Sequence, residues 1–132
     1  MIDDGLMSTD QLGPFAQFLG IDLDAADGDE VSAHWPVRSD LLQPYGILHG
    51  GVHCSVVESL ASLGAALWLG DRGKVVGVSN ATDFFRPVGD GVLRSVARPV
   101  HRGRTQQVWV VETRDEQDRL VARGQVRLQN LT

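Results

Sequence analysis

One long segment of the chain is apolar around most of a helical circumference, and shorter segments beside it alternate between apolar and polar residues. From Gly51 to about Leu69, the apolar side chains leave only a narrow polar stripe. A helix that is apolar nearly all round is buried, and this one would run roughly 28 Å at 1.5 Å per residue. The pattern therefore predicts a long buried helix at the centre of the fold.

The polar stripe on this helix consists of Ser55, Glu58, Ser59 and Ser62, whose spacing of three, four and seven residues places them on one face. Glu58 is the only carboxylate in the apolar run. Burying an unpaired carboxylate is costly, so a glutamate in this setting needs a partner or a task. We interpret Glu58 as the candidate catalytic group.

Segments on either side of the long helix predict one short helix and several strands. Residues 12–19 have helical spacing and end at Gly20, whereas residues 31–37 alternate like a half-buried strand in which Pro36 marks an edge or an end. Four strand-like segments follow the long helix, near residues 74–86, 91–101, 105–114 and 119–129. Because the turns between them are short, they predict antiparallel hairpins. The order predicts an α+β fold in which a curled, mainly antiparallel sheet wraps one helix.

Length and charge suit a single small domain that binds a small ligand. A chain of 132 residues predicts one domain over residues 1–132, with residues 1–28 as an acidic extension that contains the short helix. Residues 1–30 hold eight acids and no Lys or Arg, which leaves nine acids against twelve bases in the remainder. This split suits an anionic small ligand and is too weak to indicate nucleic-acid binding.

Other patterns exclude several kinds of protein and of site. We find no apolar run of about eighteen residues and therefore expect no membrane span. The first residues are acidic and lack a basic segment before an apolar one, so we expect no secretory signal and a cytoplasmic location. Cys54 is the only cysteine, which excludes an internal disulfide. His49 and His53 stand four residues apart but without a His-Glu-x-x-His pattern, so we expect no metal.

Four motifs stand in a fixed order along residues 41–129. They run from Gln43-Pro44 to Leu48-His49-Gly50-Gly51, then through Glu58-Ser59-Leu60-Ala61-Ser62, Phe85-Arg86-Pro87 and His101-Arg102-Gly103-Arg104. Their order and spacing resemble the hotdog-fold acyl-CoA thioesterases, in particular the branch of phenylacetate-pathway and 4-hydroxybenzoyl-CoA thioesterases. The resemblance implies a hotdog fold, thioester hydrolysis without a cofactor, and a homo-oligomer, expected to be a tetramer built as a dimer of dimers.

The glycine pair suits the binding of a thioester carbonyl. Glycines at a helix start let a carbonyl approach backbone N–H groups closely, and a helix N-terminus favours the negative charge that develops on its oxygen. Gly50 N–H, with Gly51 beside it, is our candidate oxyanion donor, and the resemblance assigns Gly50 the same role. By the same resemblance, Gln43 polarises or positions the thioester and His49 orients the loop.

Glu58 lies about two helical turns beyond Gly51, roughly 10 Å along the axis, so it cannot easily reach a thioester at its own helix start. The resemblance implies a dimer in which the carboxylate of one subunit faces the glycine-rich helix start of the other. Glu58 would then act as nucleophile or general base, and Ser62 would hold the attacking water or the carboxylate. The sequence leaves both roles of Glu58 open.

Two further groups are candidates for substrate binding. Arg102 and Arg104 flank Gly103 with His101 beside them, and arginine suits phosphate recognition, so we expect this cluster to bind the phosphates of coenzyme A or else to be a solvated hairpin. Asp83 follows Ser79-Asn80-Ala81-Thr82, where relatives in this branch often carry a histidine. It either faces the acyl pocket and accepts a hydrogen bond from a substrate hydroxyl or amine, or lies outside the pocket.

Each candidate also has a plain structural interpretation. Glu58 could pair with Ser62 or with an arginine, His49 could cap the helix, and Ser62 could bond to the carbonyl four residues earlier. Gln43 could be an ordinary loop residue, and the glycine pair could merely permit close packing. We predict hydrolysis of an aryl- or short- to medium-chain acyl thioester of coenzyme A or of a carrier protein. The alternatives are a hotdog dehydratase or hydratase and a non-catalytic acyl-CoA binding protein.

Overall fold

A six-stranded antiparallel sheet wraps around one long helix in the computed structural model, which describes residues 9–132. The acidic Asp3 and Asp4 of the predicted extension lie outside the described residues. The helices are α1 (Pro14–Leu19) and α2 (Gly50–Leu69). The strands are β1 (Asp22–Ala26), β2 (Val31–Pro36), β3 (Lys74–Phe84), β4 (Val92–Arg102), β5 (Gln106–Arg114) and β6 (Leu120–Leu131). Single 3-10 turns cover Thr9–Leu12, Ser39–Leu41 and Gly70–Arg72.

The strand order is β1-β2-β4-β5-β6-β3, and every neighbouring pair is antiparallel. The predicted α+β architecture, with a long helix against a curled antiparallel sheet, is confirmed. Gly20 ends α1 in the left-handed conformation (φ 78°), as the sequence predicts. Pro36 is the last residue of β2 and lies opposite Val92, so its missing N–H falls where the strand ends.

The strand β1 is the element that the sequence analysis does not predict. It lies in the acid-rich segment, pairs with β2 at the edge of the sheet, and contains a bulge between Leu23 and Ala25. Only Ala26 of its five residues is buried, so its sequence has no apolar alternation that would mark a strand. Charged side chains are common on edge strands because they discourage further pairing, and they conceal the strand here.

The helix α2 packs deeply into the sheet because Gly64 has no side chain. A Cβ atom at residue 64 would lie 2.6 Å from the indole ring of Trp109 on β5. Beside this contact, the buried Gln107 amide donates to the Ala65 carbonyl (3.2 Å) and to Asn130 Oδ1 (2.9 Å). Gln107 Oε1 in turn accepts from the Trp109 indole N–H at 2.8 Å. A buried polar network with its partners satisfied fixes one relative position of helix and sheet.

Residues 50–72, which comprise α2 and the following turn, are long and apolar enough to cross a membrane by length and composition. This corrects the expectation that the chain contains no such run. More than half of the apolar window is buried inside the protein against the sheet. The core helix of a globular domain has the same composition, since most of its surface contacts other apolar groups.

Substituting Gly64 tests how closely helix and sheet approach each other. Gly64→Ala should lower the free energy of unfolding by about 1–3 kcal/mol, because the new methyl group overlaps the Trp109 ring. Helix propensity alone would have the opposite effect, since Ala is favoured over Gly in a helix interior by about 1 kcal/mol. Urea unfolding decides between the two, and a variant as stable as wild type would show that the contact is loose.

Candidate active site

The first turn of α2 is capped by His49. This residue is extended (φ −64°, ψ 133°), and its Nδ1 accepts a hydrogen bond from the Gly51 N–H at 2.8 Å. The Val52 N–H bonds to the His49 carbonyl at 3.0 Å. Among the hydrogen bonds of residues 9–132, none uses the Gly50 N–H. The capping interpretation of His49 is thus confirmed, and the cap leaves one donor of the helix start available.

The loop before α2 holds Gln43 close to this donor. The His49 N–H bonds to the Leu41 carbonyl (3.0 Å), and the Gln43 N–H bonds to the Ile47 carbonyl (2.8 Å), so the loop closes on itself. The side-chain oxygen of Gln43 accepts from the Tyr45 N–H. This bond orients the carboxamide, and its NH₂ group donates to no acceptor within the described part of the chain.

A cavity of about 420 Å³ opens beside the start of α2. Two of the predicted catalytic residues, Gln43 and Gly50, line it together with the Phe85-Arg86-Pro87 motif. Its walls are mostly apolar, and its lining residues are Gln43, Ile47, Leu48, Gly50, His53, Phe84, Phe85, Arg86, Pro87 and Val88. Ligand sites are typically apolar concavities of this size with a few polar groups. The structure therefore brings Gln43 and Gly50, two of the predicted catalytic residues, together at one cavity.

Glu58 lies on another face of α2, against the edge strand β3. It is half-buried, and its Oε1 accepts a hydrogen bond from Asn80 Nδ2 at 3.2 Å. The carboxylate also lies against the backbone of Gly77, where any larger residue would collide with it. Asn80 is itself held, because it donates to the Cys54 carbonyl (3.0 Å) and accepts from Thr82 Oγ1 (2.7 Å). Sequence analysis missed Asn80, although its position two residues before Thr82 places both on one strand face.

Glu58 does not line the cavity of its own chain. It follows Gly50 by eight residues on one helix, about 12 Å along the axis, so the carboxylate and the free N–H are separate, as predicted. Ser55 and Ser59 donate back to the carbonyls of Gly51 (2.7 Å) and Ser55 (2.8 Å). Within residues 9–132, the Ser62 hydroxyl makes no such bond and stays available beside Glu58.

The cluster of His101, Arg102, Gly103 and Arg104 lies at the β4–β5 turn, far from the cavity. Arg102 donates to the Gly28 carbonyl (2.6 Å) and to Asp29 Oδ1 (2.8 Å), and its guanidinium lies over the Trp68 ring. Trp68 belongs to the last turn of α2, at the opposite end from Gly50. Arg102 is therefore occupied within its own chain, whereas Arg104 and His101 are exposed.

Asp83 does not line the cavity. It is exposed, lies opposite Arg123 in the register of β3 and β6, and alternates with Asn80 and Thr82, which face the other side of the strand. Within its own chain, Asp83 therefore lies outside the cavity.

His53 is a titratable residue of the cavity that sequence analysis did not assign to the site. Only 4% of its surface is exposed, and Nδ1 is fully enclosed without a hydrogen-bond partner in the described residues. Burial lowers the pKa of His53 from 6.5 to about 4, so the imidazole is neutral near pH 7. The sequence could have pointed to His53, because it follows Gly50 by three residues and therefore lies on the same face of the helix.

Within residues 9–132, no three potential metal ligands lie close enough together to hold an ion.

Comparisons with known proteins show which family and which structures this chain resembles. The model of the thioesterase superfamily matches residues 45–122, which is more than half of the chain. The crystal structure of S. sahachiroi AziG is similar, with 66% identity, a TM-score of 0.89 and coverage of 91% of this chain and 98% of that one. A Mycobacterium tuberculosis protein described as a "putative esterase" has 50% identity, a TM-score of 0.88 and coverage of 89% and 96%.

A further relative has a name that states its reaction. The 1,4-dihydroxy-2-naphthoyl-CoA hydrolase of Escherichia coli is 36% identical over 108 residues, which cover 82% of this chain and 79% of that protein.

The buried His53 should make stability depend on pH. An unfolded chain protonates this histidine near pH 6.5 and the folded protein only near pH 4, so stability is lost as the pH falls between these values. The loss amounts to up to about 3 kcal/mol. His53→Phe should remove this part of the dependence in urea unfolding at pH 7 and pH 4.5, whereas His101→Phe, at an exposed histidine, should keep it. An unchanged dependence in His53→Phe would contradict the assignment.

Proposed function

The chain belongs to the thioesterase superfamily, and we propose that it hydrolyses an aryl- or short- to medium-chain acyl-CoA, or the same acyl group on a carrier protein. The products are the free acid and the thiol. The observation that supports the proposal is the free N–H of Gly50 at the start of α2, since Gly50 lines an apolar cavity of about 420 Å³. The E. coli relative, which is named for an aromatic acyl-CoA substrate, supports an aryl group.

The proposed oxyanion site is built from the backbone of α2. When the carbonyl carbon of a thioester is attacked, negative charge moves onto its oxygen, and a preorganised N–H donor stabilises that charge. The Gly50 N–H supplies the donor, and the N-terminal end of the helix adds a favourable field. The unused NH₂ group of Gln43 is the second candidate donor. His49 takes part indirectly, because its cap on Gly51 fixes the helix start.

Glu58 is the proposed group that starts the attack. As a general base, it takes a proton from water while the water oxygen bonds to the carbonyl carbon. As a nucleophile, its own oxygen bonds to that carbon, and water then hydrolyses the resulting anhydride. In both routes the C–S bond breaks and the thiolate leaves with the electron pair. Asn80 orients the carboxylate, and Ser62, one turn further along α2, can hold the water.

Two subunits are needed to bring Glu58 to a bound thioester. The strand β3 is eleven residues long and lies at the edge of the sheet, so its outer backbone groups have no strand partner within residues 9–132. Val76 and Val78 on it are exposed, and a long apolar edge strand readily pairs with another chain. We place a second copy there, in a β3-to-β3 dimer that turns Glu58 of one chain toward the helix start of the other. Pairing of dimers into a tetramer is part of the proposal.

The phosphates of coenzyme A would meet the turn between β4 and β5 of another subunit. Arg104 and His101 are the exposed groups there, and Arg102 supports the turn through Asp29. Within one chain this turn lies at the far end of α2 from the cavity, so its part in substrate binding rests on the assembly.

Replacing Glu58 tests the chemistry. Glu58→Gln should lower thiol release by at least about a hundredfold, because the amide can neither take a proton nor attack. The fold should persist, since the amide oxygen can still accept from Asn80. Release is measured with benzoyl-, hydroxyphenylacetyl- and medium-chain acyl-CoA, and Glu112→Gln on β5 serves as the control.

The results separate the catalytic assignment from the reaction itself. Glu58→Gln with wild-type turnover would refute the role of Glu58 and leave the hydrolase intact. No thiol release by wild type from any of these thioesters would refute the proposed acyl-CoA substrates. Carrier-protein thioesters, hydration activity and binding without turnover would then be measured.

Charging the edge of β3 tests the dimer. Val76→Lys with Val78→Lys should give a smaller species in sedimentation velocity and should abolish turnover, because lysines on an edge strand oppose pairing. The matched control is Val100→Lys, at an exposed valine on β4. An unchanged sedimentation coefficient together with full activity would show that assembly does not use this edge.

A further inference from the structure

The cavity beside Gly50 contains few polar side chains, and one of them is His53. It follows Gly50 by three residues, so both lie on one face of α2 about 4.5 Å apart along the axis. A thioester whose oxygen is held by the Gly50 N–H would therefore extend its acyl group along the wall that His53 forms. Gln43 and Arg86 also line the cavity, but they lie outside α2 and therefore do not share this helix face.

The orientation of the imidazole is fixed by two aromatic neighbours. It stacks on Phe84 with ring centroids 5.7 Å apart and planes at 27°, and it meets Trp35 edge-on at 5.8 Å and 78°. A ring held on its face and on its edge cannot turn freely to find another partner. Its polar atoms therefore keep one direction.

The imidazole has hydrogen-bonding capacity that the chain does not use. In the described part of the chain, Nδ1 of His53 is the side-chain atom that is fully enclosed without a partner. Nε2 is not enclosed in this way, and His53 lines the cavity. Nε2 makes no hydrogen bond within residues 9–132, and because it is not enclosed, a ligand in the cavity can pair with it.

We propose that His53 is the specificity-determining residue of the acyl site and exchanges a hydrogen bond with a hydroxyl or amino substituent on an aromatic acyl group. This inference rests on the proposed thioesterase function and names its substrate class. The aromatic ring of the substrate would lie against Phe84 and Phe85, which are flat, apolar and half exposed at the cavity mouth.

A neutral imidazole suits this substituent better than the alternatives. Nε2 donates in one tautomer of the neutral ring and accepts in the other, so it can match a phenol or an aromatic amine in either direction. A carboxylate on the acyl group would find no positive charge at His53. A saturated chain would leave the imidazole unpaired, and sites built to hydrogen-bond a substrate group discriminate strongly against analogues that lack it.

The test compares matched thioesters with and without the substituent. The substrates are benzoyl-CoA, its three hydroxy isomers and the corresponding amino compounds, with kcat/KM measured for each. Wild type should prefer the best substituted isomer over benzoyl-CoA by about tenfold or more, and His53→Phe should remove that preference. His34→Phe, at a histidine on β2 that lies outside the cavity, should retain it. His53→Gln, which keeps hydrogen-bonding atoms, should retain part of it.

Affinity is measured alongside turnover, with inert thioether analogues of benzoyl-CoA and its hydroxy isomers in calorimetry. A wild type without preference for any substituted isomer, or a His53→Phe variant with the wild-type preference, would overturn the inference while hydrolysis stands. If no thioester is hydrolysed, the proposed substrates fail, and the affinity ratio of the analogues still decides the role of His53. If His53→Phe does not fold, the wild-type ratio and the Gln variant decide it.

Discussion

The contact between Gly64 and the indole of Trp109 sets how deeply α2 lies in the sheet, and the rest of the site depends on that depth. Gln107 reinforces the contact, because its amide bridges the Ala65 carbonyl on the helix to Asn130 on β6. Because α2 is rigid, fixing its position at Gly64 also fixes the positions of its other side chains. Glu58 then faces Gly77 and Asn80 on β3, and His53 lies between Trp35 and Phe84.

One helix thus supplies both halves of the proposed active site on different faces. Its first turn offers a backbone donor, since His49 uses the Gly51 N–H and leaves that of Gly50 free. Its middle offers the Glu58 carboxylate, pointed at the edge of the sheet rather than at the cavity. A single chain therefore holds two incomplete sites of complementary chemistry, which is the physical reason for proposing a dimer.

Periodicity and motifs predict much of this arrangement, and the failures have identifiable causes. The apolar circumference of α2 and the alternation along β6 indicate the fold, and the motifs select Gln43, Gly50 and Glu58 as the candidate site residues. The sequence does not predict β1, because the charged residues of this edge strand show no apolar alternation. Arg102 appears available in the sequence because its partner Asp29 is 73 residues away. The sequence leaves open whether Asp83 faces the pocket, because sequence alone does not locate the bulge at residues 77–79, which decides the faces of β3.

The strand β3 carries both the amide that orients Glu58 and the outer backbone edge where we place the second copy. In such an arrangement, assembly and catalytic competence are one property, because the strand that completes the sheet also completes the site. Diluting the protein below the dissociation constant of the dimer would switch the enzyme off while each chain stays folded. Two inactive chains, one lacking the carboxylate and one with a damaged helix start, would restore one working site when mixed.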